Sequence, residues 1–359
     1  MSANLLSAVW AKADWRPRLS MGDWESLLGQ ARQARLLARL ACQHIDHGLL
    51  DDVPVGPRVH LEGGLRLAER QQHEVRWEVD RISRALCEIE GPVVLLKGAA
   101  YLMADMAAAR GRLFADIDLL VPRAQIESVE NALFAAGWIS DERDAYNQRY
   151  YRQWMHEIPP LRHVHRDSFI DLHHTITPPT SRFNVDGAKL LRDAVPLTGY
   201  PGLYVLAPVD MVLHSAVHLF QEGEFGHGLR DLLDLRDLLN DFSRQASFWD
   251  ALLDRAEVLG LQIPLFHALS QLRRQLDFQT PPRLQGRVEQ LGPNLLSRAL
   301  MAWMLDLALQ PDHPSCHSRW TGLARWLLYV RSHALRMPVH LLIPHLLRKS
   351  WMRRFPPKP

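Results

Sequence analysis

The sequence predicts a chain of mixed class, an α/β or α+β core set between two helical regions. Three observations predict it. Apolar residues recur at helical spacing through roughly the first ninety residues and again from Pro208 onward. Between these regions, residues 92 to 176 alternate short apolar runs with amphipathic stretches, the pattern of strands joined by helices. The chain is also long enough for a substantial core, with 359 residues, 47% of them hydrophobic and 23% charged. The expected division is a helical region over 1–90, a core over 91–205, and a helical region with a basic tail over 206–359.

Each element follows from its residues. Leu27, Leu28, Ala31, Ala34, Leu37, Leu40 and Ala41 form a helical stripe within 22–50, and Gly48 lies near its end. Pro54 and Pro57 interrupt the chain. A long helix follows over about 58–89, striped by Val75, Val79, Ile82, Leu86 and Ile89 and stopped by Gly91 and Pro92. VVLLKG (93–98) is a buried strand ending in a glycine turn, and the Ala- and Met-rich residues 99–108 suit a helix. LFADIDLLV (113–121) is the second strand, halted by Pro122. QIESVENALFAAGW (125–138) is an amphipathic helix capped by Gly137. Polar, aromatic-rich sequence runs to about 155, and RHVHR (162–166) and SFIDLHHTI (168–176) are two further strands. From Pro208 the helical stretches are 209–221, 228–242, 248–260 and 264–276, and a Trp-rich stretch covers 319–337.

Bulk properties exclude several classes. A net charge of +2 gives no reason to invoke a long nucleic acid. Cys42, Cys87 and Cys316 are widely spaced, which argues against a disulfide framework or a cysteine zinc site and for reduced thiols in a cytoplasmic protein. The N-terminal stretch lacks the basic start and apolar run of a signal peptide, and no 18-residue apolar segment occurs.

The chemistry lies in the second strand. Asp116 and Asp118 interrupt an apolar run, and ionised carboxylates are costly to bury unless paired or bound to a cation. Side chains alternate faces along a strand, so both point one way while Ile117, Leu119 and Val121 enter the core. Asp171 shares a face with Phe169, His173 and Thr175 in the same fashion. If the two strands are neighbours, three aspartates converge, and such a patch repels itself unless divalent cations sit there. Hard Mg²⁺ prefers carboxylates together with substrate phosphates, and a pair of ions about 3.5–4 Å apart can activate an attacking oxygen and stabilise a leaving pyrophosphate. Upstream, Gly98 lets the backbone approach a phosphate at a helix start, while Lys97 and Arg112 add positive charge on either side of that helix.

The arrangement LLKG, then R-x-x-x-D-I-D-L-L-V-P, then an amphipathic helix ending in GW, then F-I-D-L-H-H resembles the uncharacterised nucleotidyltransferase family of the polymerase-β-like superfamily. The resemblance covers roughly residues 90–240. It implies an α+β fold with a small mixed sheet, two Mg²⁺ ions on three carboxylates, and transfer of a nucleoside monophosphate from an NTP such as ATP to an acceptor. Carried over, Asp116 and Asp118 are the paired metal ligands, Asp171 is the third carboxylate and helps deprotonate the acceptor hydroxyl, and Gly98 belongs to the phosphate-binding turn. The wider superfamily carries Gly-Ser at this turn, whereas this chain has Lys97-Gly98-Ala99 and no hydroxyl. Lys97 then supplies charge in place of the serine contact.

Other residues have two readings each. His214 and His218 lie at i, i+4 on a helix, a zinc spacing only if a third ligand joins, and otherwise a packed or hydrogen-bonded pair on the substrate side with His173. His163 and His165 share a strand face that His173 could join as a metal-hydrolase site, or they form a polar face beside an acidic one. Arg230 contacts nucleotide phosphate or belongs to a charge network with Asp231 and Asp234. Trp320, Trp326 and Trp351, with the basic ending RKSWMRRFPPKP, suggest peripheral contact with anionic membrane, or a solvated tail. The expected activity is therefore an Mg²⁺-dependent nucleotidyltransferase acting on an NTP and an unidentified acceptor, which could be a small molecule, a sugar or a protein. The alternatives are an inactive nucleotide-binding module of the same fold and a His/Asp metal hydrolase.

Overall fold

A computed structural model describes residues 4–11, 19–223, 225–338, 340 and 342. The basic ending and Trp351 lie outside the described residues. The fold is α+β, one mixed seven-stranded sheet flanked by helices.

Four helices come first: α1 (Leu5–Ala11), α2 (Met21–Gln33), α3 (Leu37–Asp46) and the long α4 (Val55–Ala85). Ser20 and Asp23 close a reciprocal capping box at the start of α2. The stripe expected as one helix over 22–50 is thus two helices. Arg35 takes φ +55 between them, and the Leu36 N–H donates to the Ala31 carbonyl at 2.7 Å. The apolar spacing continues across this break without a glycine or proline, so nothing in the local sequence marks it.

The sheet is built from β1 (Val93–Leu95), then α5 (Lys97–Met103), β2 (Ile117–Leu120), α6 (Ile126–Ala135), β3 (Trp138–Ser140), α7 (Ala145–Trp154), β4 (Leu161–His163), β5 (Phe169–His173), α8 (Gly187–Arg192), β6 (Val195–Pro196) and β7 (Leu203–Val205). The strand order is β3-β4-β5-β2-β1-β7-β6. β2 runs antiparallel to β1 and parallel to β5. The strands β3, β6 and β7 and the helices α7 and α8 have no counterpart among the sequence expectations. β3, β6 and β7 are too short to show alternation, and α7 has no buried residue to make a stripe. What the sequence does carry for α7 is its cap, with Asp144 accepting from the Asn147 N–H. β4 ends at His163, so His165 lies beyond it.

All four residues of β2 are buried, Asp118 included, because both faces of the strand are covered. The remaining helices are α9 (Pro208–Glu222), α10 (Gly228–Phe242), α11 (Phe248–Leu259), α12 (Gln262–Leu276), α13 (Gln285–Leu291), α14 (Leu295–Ala308) and α15 (Thr321–Arg336). Gly223, at φ +77, closes α9 in the left-handed conformation. α9 packs against α10, α11, α12 and α15 and touches α5, which brings His214 near Asp118. The buried apolar side chains form one cluster running from Leu6 to Leu328.

Candidate active site

Register brings the carboxylates together. Asp118 on β2 lies directly opposite Asp171 on β5. Neighbouring strands lie about 4.8 Å apart, and parallel strands in register turn paired side chains to the same face. Asp116 precedes β2 by one residue and lies two residues from Asp118, hence on the same side.

The three carboxyls differ in environment. Burial works to raise Asp118, but Lys97 and a hydrogen bond to His173 more than offset it, so it stays ionised. Lys97 Nζ is 3.4 Å and His173 Nε2 is 3.0 Å from Asp118 Oδ1. The Asp171 carboxyl makes no hydrogen bond or ion pair to any described residue. Burial, then the charges of Asp118 and Glu157, push it up to about 7. Asp116 is raised by the protein crowding it and then by the Asp118 charge. An acidic patch that neutralises itself by protonation is under-compensated, and its donors are hard oxygens, so it fits a divalent cation. Asp116, Asp118 and Asp171 would hold one, although their carboxylate oxygens do not all lie within 4.8 Å of one another.

A cavity of about 410 Å³ opens over Asp116 and Asp118, within the range of small-molecule sites. Its walls carry Arg35, Lys97, Arg112 and Arg230, so cations face the carboxylates across it. Ser215 and His218 reach in from α9. The Ser215 hydroxyl bonds the Tyr101 hydroxyl at 2.5 Å, so the cavity has a hydroxyl although the Lys-Gly-Ala turn has none. His227 lines the same wall, and its buried Nδ1 finds no hydrogen-bond partner among the described residues.

At the turn before α5, Lys97 and Gly98 both line this cavity. Lys97 takes φ +43, a conformation that strains a non-glycine residue by about 1 kcal/mol or more. A methyl group on Gly98 would collide with the Arg112 guanidinium and press on Phe114 Cδ1 at 3.2 Å. The glycine therefore makes room for Arg112. The Arg112 guanidinium is in turn fixed by Asp234, Nε to Oδ2 at 2.9 Å, while Arg39 binds Asp234 at 2.7 Å and Asp237 at 2.9 Å. This buried network ties α3 and the segment before β2 to α10. Arg230 pairs with its neighbour Asp231 at 2.7 Å and lines the cavity beside it.

The histidines divide. His173 joins the carboxylates: burial lowers its basicity, but the bond to Asp118 and the nearby Glu157 raise it above the usual value. His214 is buried and held neutral, by burial first and by the Lys97 charge second. Its ring lies 6.4 Å from that of His218 and perpendicular to it. His163 packs edge-on against Trp138 at 5.0 Å, and His165 is exposed, so these two do not assemble with His173. Among the described residues, the one trio of potential metal ligands within 4.8 Å of one another is His156, Glu157 and His173. Residue spacing gave no sign of it, because a bridge between Glu157 and His173 brings the pair together.

A second cavity, about 950 Å³, lies on the other side of Asp116 and shares Arg35, Leu113, Ala115 and Asp116 with the first. Its far wall is α4, which offers Gln71, Glu74 and Trp77. Arg166 lies over the Trp77 ring at 5.1 Å and forks onto Glu78 at 2.7 and 3.1 Å.

No helix among the described residues is long and apolar enough to cross a membrane. A family model described as "Uncharacterised nucleotidyltransferase" matches residues 20–277, most of the chain. No curated protein and no solved structure matches it.

Proposed function

The chain belongs to the uncharacterised nucleotidyltransferase family, and from that premise we propose that it moves a nucleoside monophosphate from an NTP to a hydroxyl of an acceptor, with Mg²⁺ at the aspartate patch. The observation that carries this reading is the register of Asp118 with Asp171 on adjacent parallel strands, with Asp116 and Asp118 lining a cationic cavity. Nucleotidyltransferases in general use divalent metals, and the three carboxylates suit Mg²⁺. Bound there, the metal lowers the pKa of the attacking hydroxyl and neutralises charge on the phosphates.

The chain's own residues supply the rest. The nucleotide lies in the first cavity, its phosphates facing Lys97, Arg35 and Arg230. Arg112, anchored by Asp234, presents a fixed positive charge. The acceptor enters through the second cavity, because Asp116 borders both and the reacting atoms must meet at the carboxylates. Asp171, in register with Asp118 on the neighbouring strand, takes the proton of the acceptor hydroxyl. The acceptor oxygen bonds to the α-phosphorus, the bond from that phosphorus to the bridging oxygen breaks, and pyrophosphate leaves.

The test is incubation with each α-labelled NTP, Mg²⁺ and a cell extract, beside an Asp116→Asn/Asp118→Asn variant. Label should pass to an acceptor with the native protein and not with the variant. Equal transfer by both would remove the catalytic assignment, and nucleotide binding without transfer by either would favour an inactive binding module.

A second reading, a metal hydrolase, has one observation in its favour, the His156, Glu157 and His173 trio. Two imidazoles and a carboxylate make a zinc-type ligand set. His173 Nε2, 3.0 Å from Asp118 and 3.6 Å from Glu157, accounts for the same geometry without an ion. Metal content of the purified protein separates the two: stoichiometric zinc supports the hydrolase, and its absence together with Mg²⁺-dependent transfer supports the transferase.

A further inference from the structure

Helices α14 and α15 pack on each other, and each turns an apolar stripe to solvent. On α14 the stripe is Leu296, Leu300 and Trp303, and on α15 it is Leu323, Trp326 and Val330. These spacings of three and four residues place each set along one helical face. Leu296 is 81% exposed and Trp326 59%. Neither stripe takes part in the candidate active site. Apolar stripes left exposed on two packed helices mark a surface that something covers.

Charge indicates what covers it. Residues 313–359 contain nine Lys and Arg and no Asp or Glu. The preceding 312 residues hold 33 basic against 40 acidic side chains. The near-neutral total thus hides an acidic body and a purely cationic end, and α15 lies within that end. An anionic lipid surface offers the opposite charge, and it accepts leucine, valine and tryptophan at the boundary between headgroups and chains. No described helix can span a bilayer, so the contact is peripheral.

We propose that the paired outer faces of α14 and α15, with the cationic C-terminal end, seat this protein on anionic membrane. Tryptophans on both helices suit the interface, where an amphipathic ring keeps one edge wet. The anchoring surface leaves both cavities at the sheet clear of it, since neither is lined by α14 or α15.

The test is flotation of the full chain with vesicles of phosphatidylcholine alone and of phosphatidylcholine with about 30 mol% phosphatidylglycerol. Binding to the anionic vesicles should be at least about tenfold stronger and should fall as salt rises. Leu296→Gln/Leu300→Gln/Trp326→Gln should reduce it about tenfold or more, with an unchanged melting temperature because all three side chains are exposed. A second variant, Arg348→Gln/Lys349→Gln/Arg353→Gln/Arg354→Gln, should bring anionic binding down to the level seen with phosphatidylcholine. Equal binding to both vesicle types, or binding by the stripe variant as tight as the native protein's, would overturn the proposal. So would light scattering that finds a native dimer and a monomeric stripe variant, with no vesicle binding by either.

Discussion

Neutralising one carboxyl of the candidate active site should stabilise the metal-free protein. The perturbation is Asp171→Asn, close to isosteric and without charge. Asp171 is half-buried opposite Asp118, near Glu157, and its carboxyl is pushed up to about 7 from 3.8. Between pH 3.8 and 7 the folded protein therefore keeps a proton that the unfolded chain has lost. Stability falls as pH rises through that window, and the whole cost is present above pH 7. At about 1.4 kcal/mol for each tenfold change in proton affinity, the ceiling is about 4 kcal/mol. The variant should exceed the native protein by about 2–4 kcal/mol at pH 8 without metal, and match it near pH 4, where both forms are neutral. Mg²⁺ should then close the gap, since a ligand at a hundred times its dissociation constant stabilises the native protein by about 2.7 kcal/mol and the variant by less. Urea unfolding followed by tryptophan fluorescence, from pH 4 to 8 with and without Mg²⁺, measures all of this. A variant less stable than the native protein at pH 8, or a gap that does not change with pH, would refute the reasoning.

Three further outcomes are expected. Gly98→Ala should cost about 1–3 kcal/mol in urea unfolding, because the added methyl displaces the Arg112 guanidinium and crowds Phe114. Asp234→Asn should cost about 3–5 kcal/mol in the same assay, since it leaves the buried Arg39 and Arg112 facing a neutral group. His267, packed against the rings of Phe220 and Phe266, is held by burial down to about 3, so it remains neutral until strongly acid pH. Its contribution is intact above pH 6.5 and is lost as pH falls from there towards 3. His267→Phe should therefore flatten the acid limb of the stability profile, by about 4 kcal/mol near pH 3.5, as followed by circular dichroism.

Much of the fold was legible because long amphipathic helices write their period into the sequence. The stretches at 209–221, 228–242 and 248–260 match α9, α10 and α11 to within a residue or two. The break at Arg35 was invisible, since a backbone reversal needs no change in the apolar spacing. β7 and β6, three and two residues long, exist because β1 offers an edge to β7 and β7 in turn offers one to β6, and such edges are tertiary facts.

For the candidate site, the sequence by itself determined which groups carry charge in apolar surroundings: two aspartates in one buried run and a third in another. It also determined their faces, because side-chain alternation is a local property of a strand. Only the tertiary structure decided that Asp118 and Asp171 lie opposite each other in parallel register, since pairing joins segments more than fifty residues apart. It likewise decided which charges are already spent. Arg112 is engaged by Asp234, Asp118 by Lys97 and His173, and Asp171 by no partner among the described residues. Electrostatic environment is set by neighbours in space, so a one-dimensional pattern can name the charged groups without saying which of them remain uncompensated.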